Sequence, residues 1–314
     1  MKKIISILLI AVMSISMFVA CGSDEPVTFE KKNAATMQNQ SYGSNHEDQV
    51  CDIYLPERTT LTPVIVLVHG GGFKFGDQGM AVIMPVIERA VAEGYAVVSV
   101  DYRKSGDATF PAAVADVKAA VRFVREKAEM FDFDTEKIII WGESAGAYLA
   151  AMTALTPEVD MLNGDVADHG DYSSEVAALV DFYGPIEFYT LQEEAESLGM
   201  NASFNGENSF ESAFLGQALD VDKDKTYETY WETYADQLPG DFKLSAWIQV
   251  GNADARVPYT QSENFAERLA TVIGEENVKF GIIEGADHED DLFYTEENLG
   301  DVFEYLNTVL GWNK

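Results

Sequence analysis

Basic residues, histidine and cysteine are all scarce in this chain. Of its 314 residues only 21 are Lys or Arg, against 53 Asp or Glu, giving a formal net charge of −32 at pH 7. A surface that acidic repels the phosphate backbone and anionic lipid, so nucleic acid is excluded as a partner. The acids are spread along the chain rather than gathered into blocks, and they read as a solvated acidic surface. Cysteine occurs twice, at Cys21 and Cys51. That excludes a disulfide-stapled scaffold and leaves stability to the core. The length and the 47% hydrophobic content are enough for one large α/β domain. Neither an internal repeat nor a low-complexity block is present.

The start of the chain is of another kind. Lys2 and Lys3 precede an apolar stretch over residues 4–20, broken only by Ser6, Ser14 and Ser16. This reads as a secretory signal, to be left out of the fold. It is short for a membrane-spanning helix, which needs about 20 apolar residues. The run Phe18-Val19-Ala20-Cys21 resembles the lipobox of bacterial lipoproteins, whose signal is cut before a cysteine that then carries lipid. The resemblance implies a signal over 1–20, lipidation at Cys21 and an extracytoplasmic protein that touches the membrane through that lipid alone. Residues 21–45 are polar and read as a tether. With Cys21 lipidated, Cys51 has no intramolecular partner, and it reads as a small buried residue in a strand.

From residue 46 onward, strand-like and helix-like segments alternate. An alternating pattern over 49–55 suggests an edge strand. The run Val64-Ile65-Val66-Leu67-Val68 is continuously apolar, as a strand buried on both faces must be. Further strands are predicted over 96–100, 138–141, 177–183, 245–250 and 278–283. Helices are predicted over 80–93, 111–128, 145–155, 265–272 and 302–310. This alternation predicts an α/β fold with a mostly parallel sheet and helices on both faces. Residues 186–242, rich in acids and aromatics, show no clear strand and are expected to form a partly helical, cap-like insertion over the carboxyl edge of the sheet.

Two motifs fall at strand ends. Gly142-Glu143-Ser144-Ala145-Gly146 lies between a predicted strand and a predicted helix, the setting of a nucleophile elbow in which a sharp turn exposes a serine hydroxyl. His69-Gly70-Gly71-Gly72-Phe73 follows the 64–68 strand, where glycines let backbone amides approach a developing oxyanion. No Gly-Lys-Ser/Thr ending follows, so the loop does not match a phosphate-binding one. A serine nucleophile needs a base, and that base needs an orienting acid. The four histidines are His46, His69, His169 and His288. Two precede the serine, His169 sits in a turn-like stretch before the later strands, and His288 follows the 278–283 strand. Asp254, in the loop after the 245–250 strand, is the candidate acid. Glu284 and Asp287 are its rivals, both too near His288 in sequence to reach its ring comfortably.

These segments, with Val100-Asp101-Tyr102-Arg103 and the run over 251–258, resemble the α/β-hydrolase superfamily over roughly residues 48–185 and 240–312. They are most similar to its carboxylesterase branch, with the hormone-sensitive-lipase-like esterases and bacterial acetylxylan and feruloyl esterases. The resemblance implies a catalytic triad of Ser144, Asp254 and His288, with oxyanion amides from Gly71, Gly72 and Ala145. It implies no metal and no organic cofactor. It assigns Asp101, Tyr102 and Arg103 a structural place near the site. One departure follows His288, where the family usually has glycine and this chain has Glu289-Asp290-Asp291, with Asp287 before. Acids there crowd a ring that must be free of its proton to act as a base.

The implied activity is hydrolysis of small carboxylic esters, including acetyl or feruloyl groups on plant polysaccharides. A lipase is disfavoured by the lack of an extended apolar lid, and a peptidase of the same fold by the lack of a recognisable site for a peptide terminus. The reading from another class is a non-catalytic binding lipoprotein on a hydrolase scaffold.

Overall fold

Branched aliphatic residues decide where the sheet lies. In the computed structural model, which describes residues 36–57, 60–164 and 168–313, every residue of strand β3 (Thr62–Val68) is buried. Its side chains alternate between two cores: Val64, Val66 and Val68 face one, Ile65 and Leu67 the other. Both faces are therefore covered, which is why the run is apolar without a break.

In chain order the elements are β1 (Met37–Ser41), β2 (Val50–Tyr54), β3, α1 (Met84–Ala92), β4 (Ala96–Val100), α2 (Ala112–Glu126), α3 (Ala128–Phe131) and β5 (Phe133–Glu143). Then come α4 (Ala145–Leu155), β6 (Ala178–Phe182), α5 (Leu191–Ser197), α6 (Phe210–Leu215), α7 (Lys223–Tyr227), β7 (Ser245–Gly251), α8 (Thr260–Ile273), β8 (Val278–Ile283) and α9 (Glu296–Val309). The eight strands form one sheet in the order β1-β2-β4-β3-β5-β6-β7-β8. β2 runs antiparallel to both of its neighbours, β1 and β4, while β3 through β8 run parallel to one another. One face packs on α2, α4 and α8, the other on α1 and α9. This is the mostly parallel α/β sheet that the alternation of segments predicts, and it is the α/β-hydrolase fold.

Two departures have physical causes. The sheet begins inside the stretch read as tether, and β1, not β2, is the edge. β1 carries no apolar run because it is half exposed, and backbone pairing with β2 holds it through a bulge between Met37 and Gln40. At the bulge Asn39 takes φ +50° and its amide donates to Asp52 Oδ1 at 2.8 Å. Just beyond, Tyr42 is fully buried and donates its hydroxyl to the Asp101 carbonyl. β5 is also longer than expected, because its polar first half extends the pairing toward Phe133. The signal over 1–20, lipidation at Cys21 and most of the tether fall outside the described residues.

The 186–242 insertion holds helices α5, α6 and α7 and a 3₁₀ turn at Trp231–Gln237. Its aromatics anchor it. Phe214 stacks on Phe73 with ring centres 4.2 Å apart, and Phe188 stacks on Tyr148 of α4 at 4.6 Å. Offset aromatic pairs of this kind add roughly 0.5–1.5 kcal/mol beyond area burial. The insertion is thus tied to the β3 loop and to the helix that follows Ser144.

Candidate active site

The carboxyl ends of β3, β5, β6, β7 and β8 lie side by side, and every candidate residue leaves from one of them. β5 ends at Glu143, and Ser144 turns the chain into α4 with φ 52° and ψ −123°. A serine in that conformation is strained, and its surroundings hold it there. The Ser144 amide donates to the Phe182 carbonyl of β6 at 2.9 Å. The flanking glycines allow very close approach. A Cβ on Gly142 would lie 2.2 Å from the Gly146 carbonyl oxygen, and one on Gly146 would lie 2.1 Å from that of Val68.

Ser144 Oγ lies 2.8 Å from His288 Nε2, and His288 Nδ1 lies 2.7 Å from Asp254 Oδ2. The other carboxylate oxygen, Oδ1, accepts the amides of Arg256 and Val257, each at 2.8 Å. The carboxylate is thus fixed from one side by backbone and offered to the ring from the other. Asp254 is 8% exposed and Ser144 9%. The rivals for the acid role go elsewhere. Glu284 accepts from Asn252 at 2.7 Å, and Asp287 Oδ1 accepts the amides of Ala255 and His288 at 2.8 and 2.7 Å. Those amides hold the Asp287 carboxyl below the usual range. Asp290 Oδ1 accepts the Leu292 amide at 3.0 Å, capping a short 3₁₀ turn. Of the acids crowded around His288 in sequence, then, Asp287 and Asp290 are turned to backbone, and Asp254 alone bonds the ring among the described residues.

The β3 loop lies against the elbow. His69 is fully buried, with Nδ1 2.6 Å from the Gly70 carbonyl and Nε2 3.0 Å from Asp101 Oδ1, and it stacks on Tyr102. It orients the loop and does not reach Ser144 Oγ. Arg103 clamps Asp116 through Nε and the adjacent amine, so the 101–103 stretch is structural. Gly71 has φ +109°, and a Cβ there would lie 2.2 Å from the Phe75 carbonyl. Among the described residues no acceptor is recorded for the amides of Gly71, Gly72 or Ala145. Ala145 is the first residue of α4, where helical amides have no intrahelical partner. The remaining histidines lie elsewhere: His169 bonds Glu126 and the Tyr42 carbonyl, and His46 pairs with Asp48 at 3.6 Å.

Behind His288 is a cluster that the sequence does not reveal. The Tyr183 ring packs on the imidazole with centres 4.7 Å apart. The Tyr183 hydroxyl bonds that of Tyr294, and Tyr294 donates to Glu143 Oε2 at 2.9 Å. Glu143 is fully enclosed, and burial pushes its carboxyl up to about 8 despite the tyrosine bond. Its position in the elbow pentapeptide is the one available signal, since nothing in the sequence says where Tyr183 and Tyr294 will meet it.

A pocket of about 470 Å³ opens onto Ser144, Ala145 and His288. The insertion supplies one wall with Phe204, Phe210 and Glu211, and burial pushes the Glu211 carboxyl up to about 7. Phe75, Arg256 and Glu289 complete the rim. A larger groove, about 860 Å³, lies at the amino ends of β5, β6 and β7, away from this chemistry.

Comparison with known proteins places these features in company. The BD-FAE family model matches residues 51–269. The chain is 28% identical to Esterase LipQ of Mycobacterium tuberculosis over 285 residues, covering 84% of this chain and 60% of LipQ. Against Esterase LipC of the same organism the figures are 28%, 74% and 54%, so the chain spans only a little over half the length of these curated relatives. Among solved structures, a bifunctional GH43-CE protein of Bacteroides eggerthii aligns with TM-score 0.75 and 29% identity, over 87% of this chain and 38% of that one. A truncated carbohydrate esterase from gut microbiota aligns with TM-score 0.76 over 90% of this chain and 99% of that one, and at 23% identity it speaks to fold alone.

Proposed function

This chain belongs to the BD-FAE family, and from that premise we propose that it is a serine carboxylesterase acting on small carboxylic esters, including acetyl or feruloyl groups on plant polysaccharides. The observation that carries the reading is the continuous line Ser144 Oγ–His288–Asp254, with bonds of 2.8 and 2.7 Å. His288 Nε2 takes the hydroxyl proton as Ser144 Oγ attacks the ester carbonyl carbon. The amides of Gly71, Gly72 and Ala145 receive the resulting oxyanion; losing one such donor typically costs about 3 kcal/mol of transition-state stabilisation. The tetrahedral intermediate collapses, the alcohol leaves with the proton from Nε2, and the acyl group stays on Ser144. Water, deprotonated by His288, then releases the acid and restores the serine.

Support for the ester class comes from the esterase relatives, and support for a carbohydrate-borne ester from the GH43-CE neighbour. The same proposal puts the protein outside the cell on a lipid at Cys21, which detergent partitioning of the full chain against Cys21→Ser tests. Hydrolysis of p-nitrophenyl acetate tests the chemistry. Ser144→Ala should reduce kcat by at least about 10⁴-fold with the fold intact. Activity that survives the substitution would remove Ser144 from the mechanism.

A further inference from the structure

Three consecutive residues of the β3 loop, Gly71, Gly72 and Phe73, have φ values of +109°, +60° and +60°. Glycine adopts such values freely. An aromatic residue does not, and its surroundings must hold it there. Backbone supplies part of the hold. The amides of Lys74 and Phe75 donate to the Gly71 carbonyl at 3.1 and 3.0 Å, and the Ser105 amide donates to the Phe73 carbonyl at 2.8 Å. None of these bonds fixes the Phe73 ring, which is fully buried among aromatic side chains from elsewhere in the chain. Phe214 of α6 stacks on it with the ring planes 25° apart, while Phe188 and Tyr148 meet it edge-on at 5.8 and 5.5 Å.

Phe214 is the centre of this aromatic box. Its ring also meets those of Phe110, Tyr148 and Phe188, with centres 5.8, 5.6 and 6.0 Å apart, and its carbonyl accepts the Phe110 amide at 2.7 Å. Tyr148 belongs to α4, the helix that starts after Ser144, and donates its hydroxyl to the Thr229 carbonyl of the insertion at 2.7 Å. The box therefore joins the insertion, the β3 loop and the helix behind Ser144. Phe210, one turn earlier in α6, lies so close over Gly72 that a Cβ there would be 2.7 Å from its ring. Rigid packing matters at such a place, because an amide stabilises an oxyanion best when it is aimed before the charge develops. Phe214 is itself buried and is not part of the Ser144 pocket lining, whereas Phe73 is. Any effect of Phe214 on a bound ester must pass through the loop.

We propose that Phe214 is a positioning residue of the reaction: by seating Phe73 it makes the insertion hold the Gly71 and Gly72 amides where the oxyanion forms. The insertion is then a working part of the oxyanion site as well as a wall of the pocket. This rests on the esterase reading and deepens it. Phe214→Leu and Phe214→Ala are compared with Trp231→Phe, which alters a buried insertion residue packed on Phe265 of α8 instead. On p-nitrophenyl acetate, Phe214→Leu should lower kcat about tenfold and Phe214→Ala about 100-fold, the scale of a ~1 Å misplacement. KM should stay within about twofold of wild type, and Trp231→Phe should keep the wild-type kcat. A trifluoromethyl ketone supplies a readout that loosened packing alone does not move. Ser144 Oγ adds to its carbonyl carbon, the hydroxyl proton passes to His288, and the carbonyl oxygen becomes the oxyanion. Its Ki should rise by the factor by which kcat/KM falls. Thermal unfolding shows whether each variant is folded, and if Phe214→Ala is not, the gentler Phe214→Leu carries the test. A folded Phe214→Leu with wild-type kcat, a loss confined to KM, an unchanged Ki, or an equal loss of kcat in Trp231→Phe overturns the inference. Wild type inert on p-nitrophenyl acetate would instead refute the esterase reading, and this inference with it.

Discussion

Glu143 is a carboxyl group beside Ser144 that holds its proton where an exposed one would lose it. Burial pushes it to about 8 from an ordinary 4.5. Between those values the folded chain keeps a proton that the unfolded chain has released, so raising the pH favours unfolding. The stabilising contribution is complete below about pH 4.5 and is lost as pH rises through about 8. The limiting slope is ~1.4 kcal/mol per pH unit for one proton. Asp181, pushed by burial to about 7, and Glu211, also at about 7, act in the same direction over a narrower span. Glu143→Gln should flatten the decline in stability between about pH 5 and 8, read from urea unfolding at several pH values. A slope equal to that of wild type would mean Glu143 is ionised in the folded state. At this scale the sequence points to Ser144, His288 and Asp254, which the structure brings into one hydrogen-bonded line, because a serine-histidine-acid arrangement constrains residue type and chain order. It hides Tyr183, Tyr294 and Phe214, because their relevance depends on where rings meet and on positive φ values that no pattern of hydrophobicity records.

Burial made most of the strands legible. β3, β4, β6 and β7 carry apolar runs because both of their faces are packed, and their predicted limits, like those of the half-exposed edge strand β8, agree with the structure to within about two residues. β1 carries no such run, and its pairing is a matter of backbone groups. Helices α5, α6 and α7 are 5–7 residues long, too short to show a helical period, so only the helical character of the insertion could be anticipated. The tightest junction between elements is the one sequence analysis singles out, where α4 leaves β5 against the end of β3. Gly146→Ala puts a methyl group 2.1 Å from the Val68 carbonyl oxygen and 2.4 Å from that of His69, both backbone atoms with little freedom to yield. It should cost more than about 2 kcal/mol and, on the proposed mechanism, reduce turnover by displacing the Gly70–Gly72 loop. Chemical denaturation and turnover on p-nitrophenyl acetate check it, and wild-type values for both would show that the loop gives way freely.

For the whole molecule the dominant fact is charge. At −32 the folded state is compressed against its own repulsion, and the core must overcome that. Salt screens it, with a Debye length falling from about 20 Å near 0.02 M to about 6 Å near 0.3 M. Across that range Tm should rise by about 2–4 °C, the shift that ~1 kcal/mol produces in a domain of this class. A flat or falling Tm would mean that local ion pairs such as Arg103–Asp116 outweigh the global field. Stability also has no covalent support among the described residues, where the one thiol, Cys51, is fully buried on β2 and donates to the Gln40 carbonyl of β1. Burial pushes that thiol up to about 12, so while the strands stay paired it is closed to alkylating reagents. In a Cys21→Ser chain, the rate at which Cys51 reacts would become a clock for the edge of the sheet, counting how often β1 peels away long before the site at the other side of β3 is disturbed.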